Sequence, residues 1–151
     1  MIRLTENELQ PQSSSPAFSR YWHLYQTAFH QAGHLFTPMG NGVTDELARL
    51  LDLHGLQHIQ MRAYTLEYRA GTPGGEHLLE NVRYGGKTGV AFLRKWMRLP
   101  DDYNTLYEQT LREMQQSDFV ATVGLLTAWG TNPSGFAPAS LPLPEASRAF
   151  E

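Results

Sequence analysis

The sequence predicts an α/β fold, and three observations carry that expectation. The segment FVATVGLLTAWG, Phe119 to Gly130, is the longest apolar run of the 151-residue chain and alternates little between polar and apolar. Such a run reads as a strand buried on both faces, with a short buried helix as the alternative that periodicity leaves open. A second stretch, Leu56 to Ala70, reads as a long strand, and between these strands apolar residues recur at helical spacing. A strand buried on both faces needs partners at both edges and a layer on either side.

In chain order, Ile2 to Thr5 is a short β-prone run ended by Glu6, Asn7 and Glu8. A strand with nothing before it to pair with is a first sign of a missing neighbour. Leu9 to Ser15 is a polar loop, and Ser15 followed by Pro16 is an N-cap with its first turn. From Pro16 to Gly33 an aromatic stripe of Phe18, Trp22, Tyr25, Phe29 and Ala32 follows one helical face, flanked by Tyr21 and Ala28. It serves either as core packing or as a lid over a flat, apolar ligand. His23, His30 and His34 lie mainly on the other side. The 30/34 pair has metal-site spacing, but with no HExxH pattern and no third ligand these read as solvated histidines.

Leu35 to Val43 is a turn-rich connector, after which Thr44 is expected to cap a helix presenting Leu47, Leu50, Leu51 and His54 and ending at Gly55. In the long strand that follows, Ile59, Met61 and Ala63 face one way and Tyr64, Leu66 and Tyr68 the other. A bulge near Ala63 and Tyr64, or a change of which face is covered, accounts for apolar residues on both sides. The loop Ala70 to Gly75 leads into a long helix expected from Glu76 to Arg98, with Leu79, Val82, Val90, Leu93 and Met97 on its apolar face. Gly85, Gly86 and Gly89 interrupt it. Each costs about 1 kcal/mol relative to alanine, so a break, a kink or a close packing contact is expected there, or a close backbone approach to a ligand. GGKTG is not a phosphate loop, since Asn81 stands where GxxxxGK requires its first glycine. Pro100 and Asp101 open an amphipathic helix bearing Tyr103, Leu106, Tyr107, Thr110 and Met114. The Pro/Ala/Ser-rich segment 132–151 is expected to be a flexible tail.

Composition narrows the function classes. With 41% hydrophobic and 18% charged residues the chain has the balance of a soluble globular domain. A net charge of -3, without a basic cluster, argues against nucleic acid and against a membrane surface as partners. No cysteine is present, which excludes disulfides, thiolate zinc sites and a cysteine nucleophile, and is compatible with a cytoplasmic protein. MIRLTENEL lacks the apolar core of a signal peptide, and no run approaches the ~20 apolar residues of a membrane span.

The order of strand, helical insertion, helix, long strand, helices and final buried strand resembles the C-terminal half of a class I S-adenosylmethionine-dependent methyltransferase. IRLTENE looks like the strand after that family's LKPGG turn, ELARLLDLHGLQHIQMRAY like its LLxxAGF helix and following strand, and DFVATVGLLTAWGTNP like its terminal antiparallel strand. The resemblance spans most of 2–133. It implies a partial Rossmann-like sheet of about three strands in 5-7-6 order, the last strand antiparallel and central, with helical insertions at about 16–34 and 76–116 forming a lid. Ile2 to Thr5 and Leu56 to Ala70 would then flank Phe119 to Gly130.

The family's cofactor site belongs to its other half, where a glycine-rich turn follows the first strand. The glycines at 40, 42 and 71–75 do not follow such a first strand. The resemblance therefore implies a fragment that is inactive alone, with S-adenosylmethionine bound by the intact parent and not by this chain. Its substrate would be a small-molecule methyl acceptor. Glu6, at the carboxyl end of its strand, is the candidate for orienting or deprotonating the acceptor. Trp22 and Tyr25 are candidates for an apolar wall, and His77 and Tyr84 for polar contacts. The competing expectation is a non-catalytic α/β module that self-associates or pairs with a partner chain through the exposed edge at Ile2 to Thr5.

Overall fold

The final strand is the axis of the sheet. The computed structural model describes residues 1–8, 10–35, 38 and 42–133. In order these form β1 (Ile2–Asn7), β2 (Gln12–Ser13), α1 (Pro16–Gln31), α2 (Val43–Leu53), β3 (Gln57–Arg69), α3 (Pro73–Thr88), α4 (Val90–Trp96), α5 (Tyr103–Glu113) and β4 (Val120–Thr131). One edge of β4 pairs antiparallel with β1, from Ile2 opposite Gly130 to Asn7 opposite Leu125, and then with β2, where Gln12 faces Thr122. The other edge pairs antiparallel with β3, in unbroken register from Gln60 opposite Trp129 to Arg69 opposite Val120. The fold is α/β, and β1 and β3 run parallel to each other on either side of β4.

The central strand is not buried along both faces. Ala121, Thr127, Ala128 and Gly130 are buried and the middle of β4 is half-exposed. Its two ends are covered from opposite sides. At the start, Phe119 and Ala121 enter a large core with Phe18, Tyr21, Leu79, Leu93 and Leu106. Towards its end, Ala128 and Leu126 point to the other face and pack with Leu47, Leu51 and Leu56 around α2. Two cores on opposite faces explain why the sequence fails to alternate: each face of the strand is apolar where its own core lies. β3 behaves in the same way. Ile59 joins the α2 core and Tyr68 the helical core, so the covered face changes without a bulge at Ala63 and Tyr64. The irregularity lies instead between Gln57 and Gln60, where His58 takes a φ of 54°.

Local signals set most helix ends. The Ser15 hydroxyl accepts from the Phe18 N–H at 2.9 Å with Pro16 in the first turn, as an N-cap should. The same hydroxyl donates to Glu113 at 2.7 Å, tying α1 to α5. α2 departs from expectation, since Gly42 is its N-cap residue and Thr44 is buried inside the first turn. Asp45 and Glu46 in that turn complement the helix dipole in place of a side-chain cap. α3 starts at Pro73, before the expected Glu76, because Thr72 caps it by accepting from the Gly75 N–H at 3.1 Å. Gly89 then separates α3 from α4, as the glycine content predicted. The stretch expected to be loop before Ser15 contains β2, held where the Ser14 N–H donates to the Val120 carbonyl at 2.9 Å. The expected tail from 134 onward, and Gly40, lie outside the described residues.

Candidate functional site

Close helix contact at the glycines of α3 builds an aromatic cluster. A Cβ at Gly86 would overlap the ring of Tyr107, and one at Gly89 would overlap the Tyr25 hydroxyl. Without those side chains, tyrosines from α1 and α5 reach the α3 backbone. Tyr25 donates to the Gly85 carbonyl at 2.8 Å, Tyr103 to Gly86 at 3.1 Å and Tyr107 to Arg83 at 2.9 Å. Tyr25 has spent its only proton on Gly85, so in the 3.2 Å contact between the two hydroxyls Tyr21 donates and Tyr25 accepts. Burial pushes the Tyr21 phenol far above the usual tyrosine range, with the Tyr25 hydrogen bond adding to it. Burial likewise raises Tyr103 and Tyr107. These phenols are neutral near pH 7 and do not act as phenolate bases.

Beside this cluster a groove of about 300 Å³ opens between α1 and α3. Tyr21, Trp22, Tyr25 and Phe29 form its α1 wall, and Leu78, Val82 and Gly85 its α3 floor. Among the described residues Asn81 supplies its one amide, and no charged side chain lines it. The aromatic stripe divides between the core and the groove. Phe18 and Tyr21 are buried in the core, whereas Trp22, Tyr25 and Phe29 stay half-exposed towards the groove.

The groove has a definite place relative to the sheet. β3 ends beside the start of β4, β1 ends beside its middle, and the aromatic α1 and the glycine-bearing α3 pack at the start of β4. The groove itself is lined by α1 and α3 alone and by no residue of the sheet among the described residues.

Of the residues singled out from sequence, Trp22 and Tyr25 come together here. His77 and Tyr84 sit on α3 but are exposed, Tyr84 at 68%, and do not line the groove. Glu6 is an exposed residue of β1 opposite Leu126 and is not part of the groove either. The carboxylate held against the sheet is that of Glu8, which lies over the Cα of Gly124 while its N–H donates to the Gly124 carbonyl at 2.8 Å. A glycine inside a strand was the available signal, since it marks close approach by another group. Asn81 had no signal beyond its place on the helix.

The glycine loop at 71–75 does join a strand to a helix, but its glycines serve the turn. Gly71 has a φ of 73°, and a Cβ at Gly75 would collide with the Arg69 carbonyl. The backbone folds on itself there. Among the described residues no group of three or more His, Asp or Glu is placed to hold a metal. None of their helices is long and apolar enough to cross a membrane. No protein-family model matches the sequence, and no curated protein matches it.

Proposed function

We propose that this chain is the substrate-side half of a methyltransferase that acts on a small molecule. In this reading the sheet is the 5-7-6 end of a Rossmann-like fold and α1 with α3 to α5 is its substrate lid. The observation that carries it is β4, antiparallel and central between two strands that are parallel to each other. An aromatic groove between the helices that pack on the sheet adds support. When bound by the complete enzyme, S-adenosylmethionine supplies an electrophilic methyl group. In this reading the other half holds that cofactor, so this half's own work is to hold the acceptor and keep water from it, which favours in-line displacement.

Incubating the chain with S-adenosylmethionine tests the division of labour. The expected result is no saturable rise in melting temperature for this chain alone, and cofactor-dependent methylation by a polypeptide that joins it to a cofactor-binding half. Saturable stabilisation of the isolated chain by the cofactor would overturn the division.

A second reading is favoured by the exposed sheet. All of β1 is exposed, with Ile2 at 42% and Leu4 at 43%, and Met61 on β3 is 54% exposed on the same face. A non-catalytic module that pairs through the free edge of β1 would use that surface. Gel filtration separates the readings, since pairing between copies predicts a dimer that a proline at Arg3, whose N–H points away from β4, dissociates.

A further inference from the structure

We propose that the groove between α1 and α3 binds a neutral, planar aromatic molecule of one or two rings bearing a hydroxyl or carbonyl at one edge. Calling that molecule the methyl acceptor rests on the proposed function; its binding does not.

The volume sets the size. A space of about 300 Å³ is at the small end of ligand sites and suits one or two rings. The walls set the shape and charge. Trp22, Tyr25 and Phe29 turn aromatic faces and edges to the groove from successive turns of one helix, and aromatic ligands pair well with such surfaces. With no charged side chain among the described residues of the lining, an ionised ligand would lose its hydration and gain no counter-charge.

The polar inventory sets the substituent. The hydrogen of Tyr25 is committed to Gly85 and that of Tyr21 to Tyr25, so neither phenol donates into the groove. Asn81 stands at the exposed rim and offers an amide with both a donor and an acceptor. A ligand lying flat against Trp22 with its polar edge towards Asn81 satisfies both.

The floor explains why the groove persists. At Gly85 a Cβ would meet only the Tyr21 hydroxyl, at 3.7 Å, so no neighbouring side chain occupies that space. The Tyr25 hydrogen bond to the Gly85 carbonyl fixes the distance between the two helices.

Binding of naphthol, naphthalene and naphthoate to the full chain, followed by calorimetry without cofactor, tests the inference. Naphthol is expected to bind at one site, at least about tenfold more tightly than naphthoate, which has no counter-charge there. Trp22→Ala should weaken naphthol about tenfold or more. Asn81→Leu, at an exposed position that does not endanger folding, should bring naphthol down to the affinity of naphthalene. His77→Ala and Tyr84→Ala, outside the groove, should leave binding unchanged. Absence of naphthol binding up to about 1 mM, equal binding of naphthol and naphthoate, or indifference to Asn81→Leu would each overturn the inference. Because no cofactor is present, such a failure leaves the methyl-transfer reading to its own test.

Discussion

The Tyr25 hydroxyl donates to the carbonyl of Gly85 at 2.8 Å, although that carbonyl already accepts the Gly89 N–H at 2.7 Å. One oxygen thus joins α1 to α3 at the last turn before the helix breaks, and the glycines around it decide how near the helices come.

The three glycines are therefore not equivalent. Gly86→Ala and Gly89→Ala force a methyl into Tyr107 and Tyr25 respectively, and each should destabilise the chain by about 1–3 kcal/mol. Gly85→Ala meets only ordinary contact and should be neutral or up to about 1 kcal/mol stabilising through helix propensity. Urea denaturation of the three variants checks the order.

The direction of the tyrosine pair predicts a second order. Tyr25→Phe leaves the buried Tyr21 hydroxyl without the acceptor it uses and should cost about 1–3 kcal/mol, whereas Tyr21→Phe removes only a donor and should cost about 1 kcal/mol. The double variant should cost less than the sum of the two, as a double-mutant cycle would report.

Two groups set the expected pH limits. The hydroxyl of Ser15 is the main cause holding the Glu113 carboxyl below its ordinary range, with Gln109 and the Ala17 N–H contributing. A lowered folded value means that the stabilisation is complete above the ordinary glutamate range and is lost as pH falls through the depressed value. Glu113→Gln should flatten this acid limb of the melting curve. Tyr21, Tyr103 and Tyr107 are raised, so their contribution is complete below about pH 10 and is lost as pH rises beyond it. Phenolate absorbance should show these tyrosines ionising only as the chain unfolds.

How far the sequence spoke for itself depends on the range of the interaction. Ser15–Pro16 and the glycines of α3 act within a few residues, and the cap and the helix break lie where those signals put them. The apolar run demanded two neighbours for β4, and the resemblance supplied β1 and β3 as the pair that flanks it. Its uneven burial was not legible. Lack of alternation arises equally from full burial and from opposite faces buried at opposite ends, and only the positions of α2 and α1 separate these. Trp22 and Tyr25 stood out because aromatics at helical spacing are conspicuous. Asn81, Glu8 and the partners of the tyrosine hydroxyls owe their roles to contacts between distant segments, which no spacing rule contains.

The opposed cladding of β4 has a mechanical consequence. The α2 core grips the sheet at one end and from one side, and the aromatic core grips it at the other end and from the opposite side. Between them, where Leu66 faces Val123 and Ala63 faces Leu126, the middle of β4 is half-exposed. Residues 123–126 therefore join two cores that hold the sheet from opposite sides, and a rocking of one core against the other would bend the sheet there.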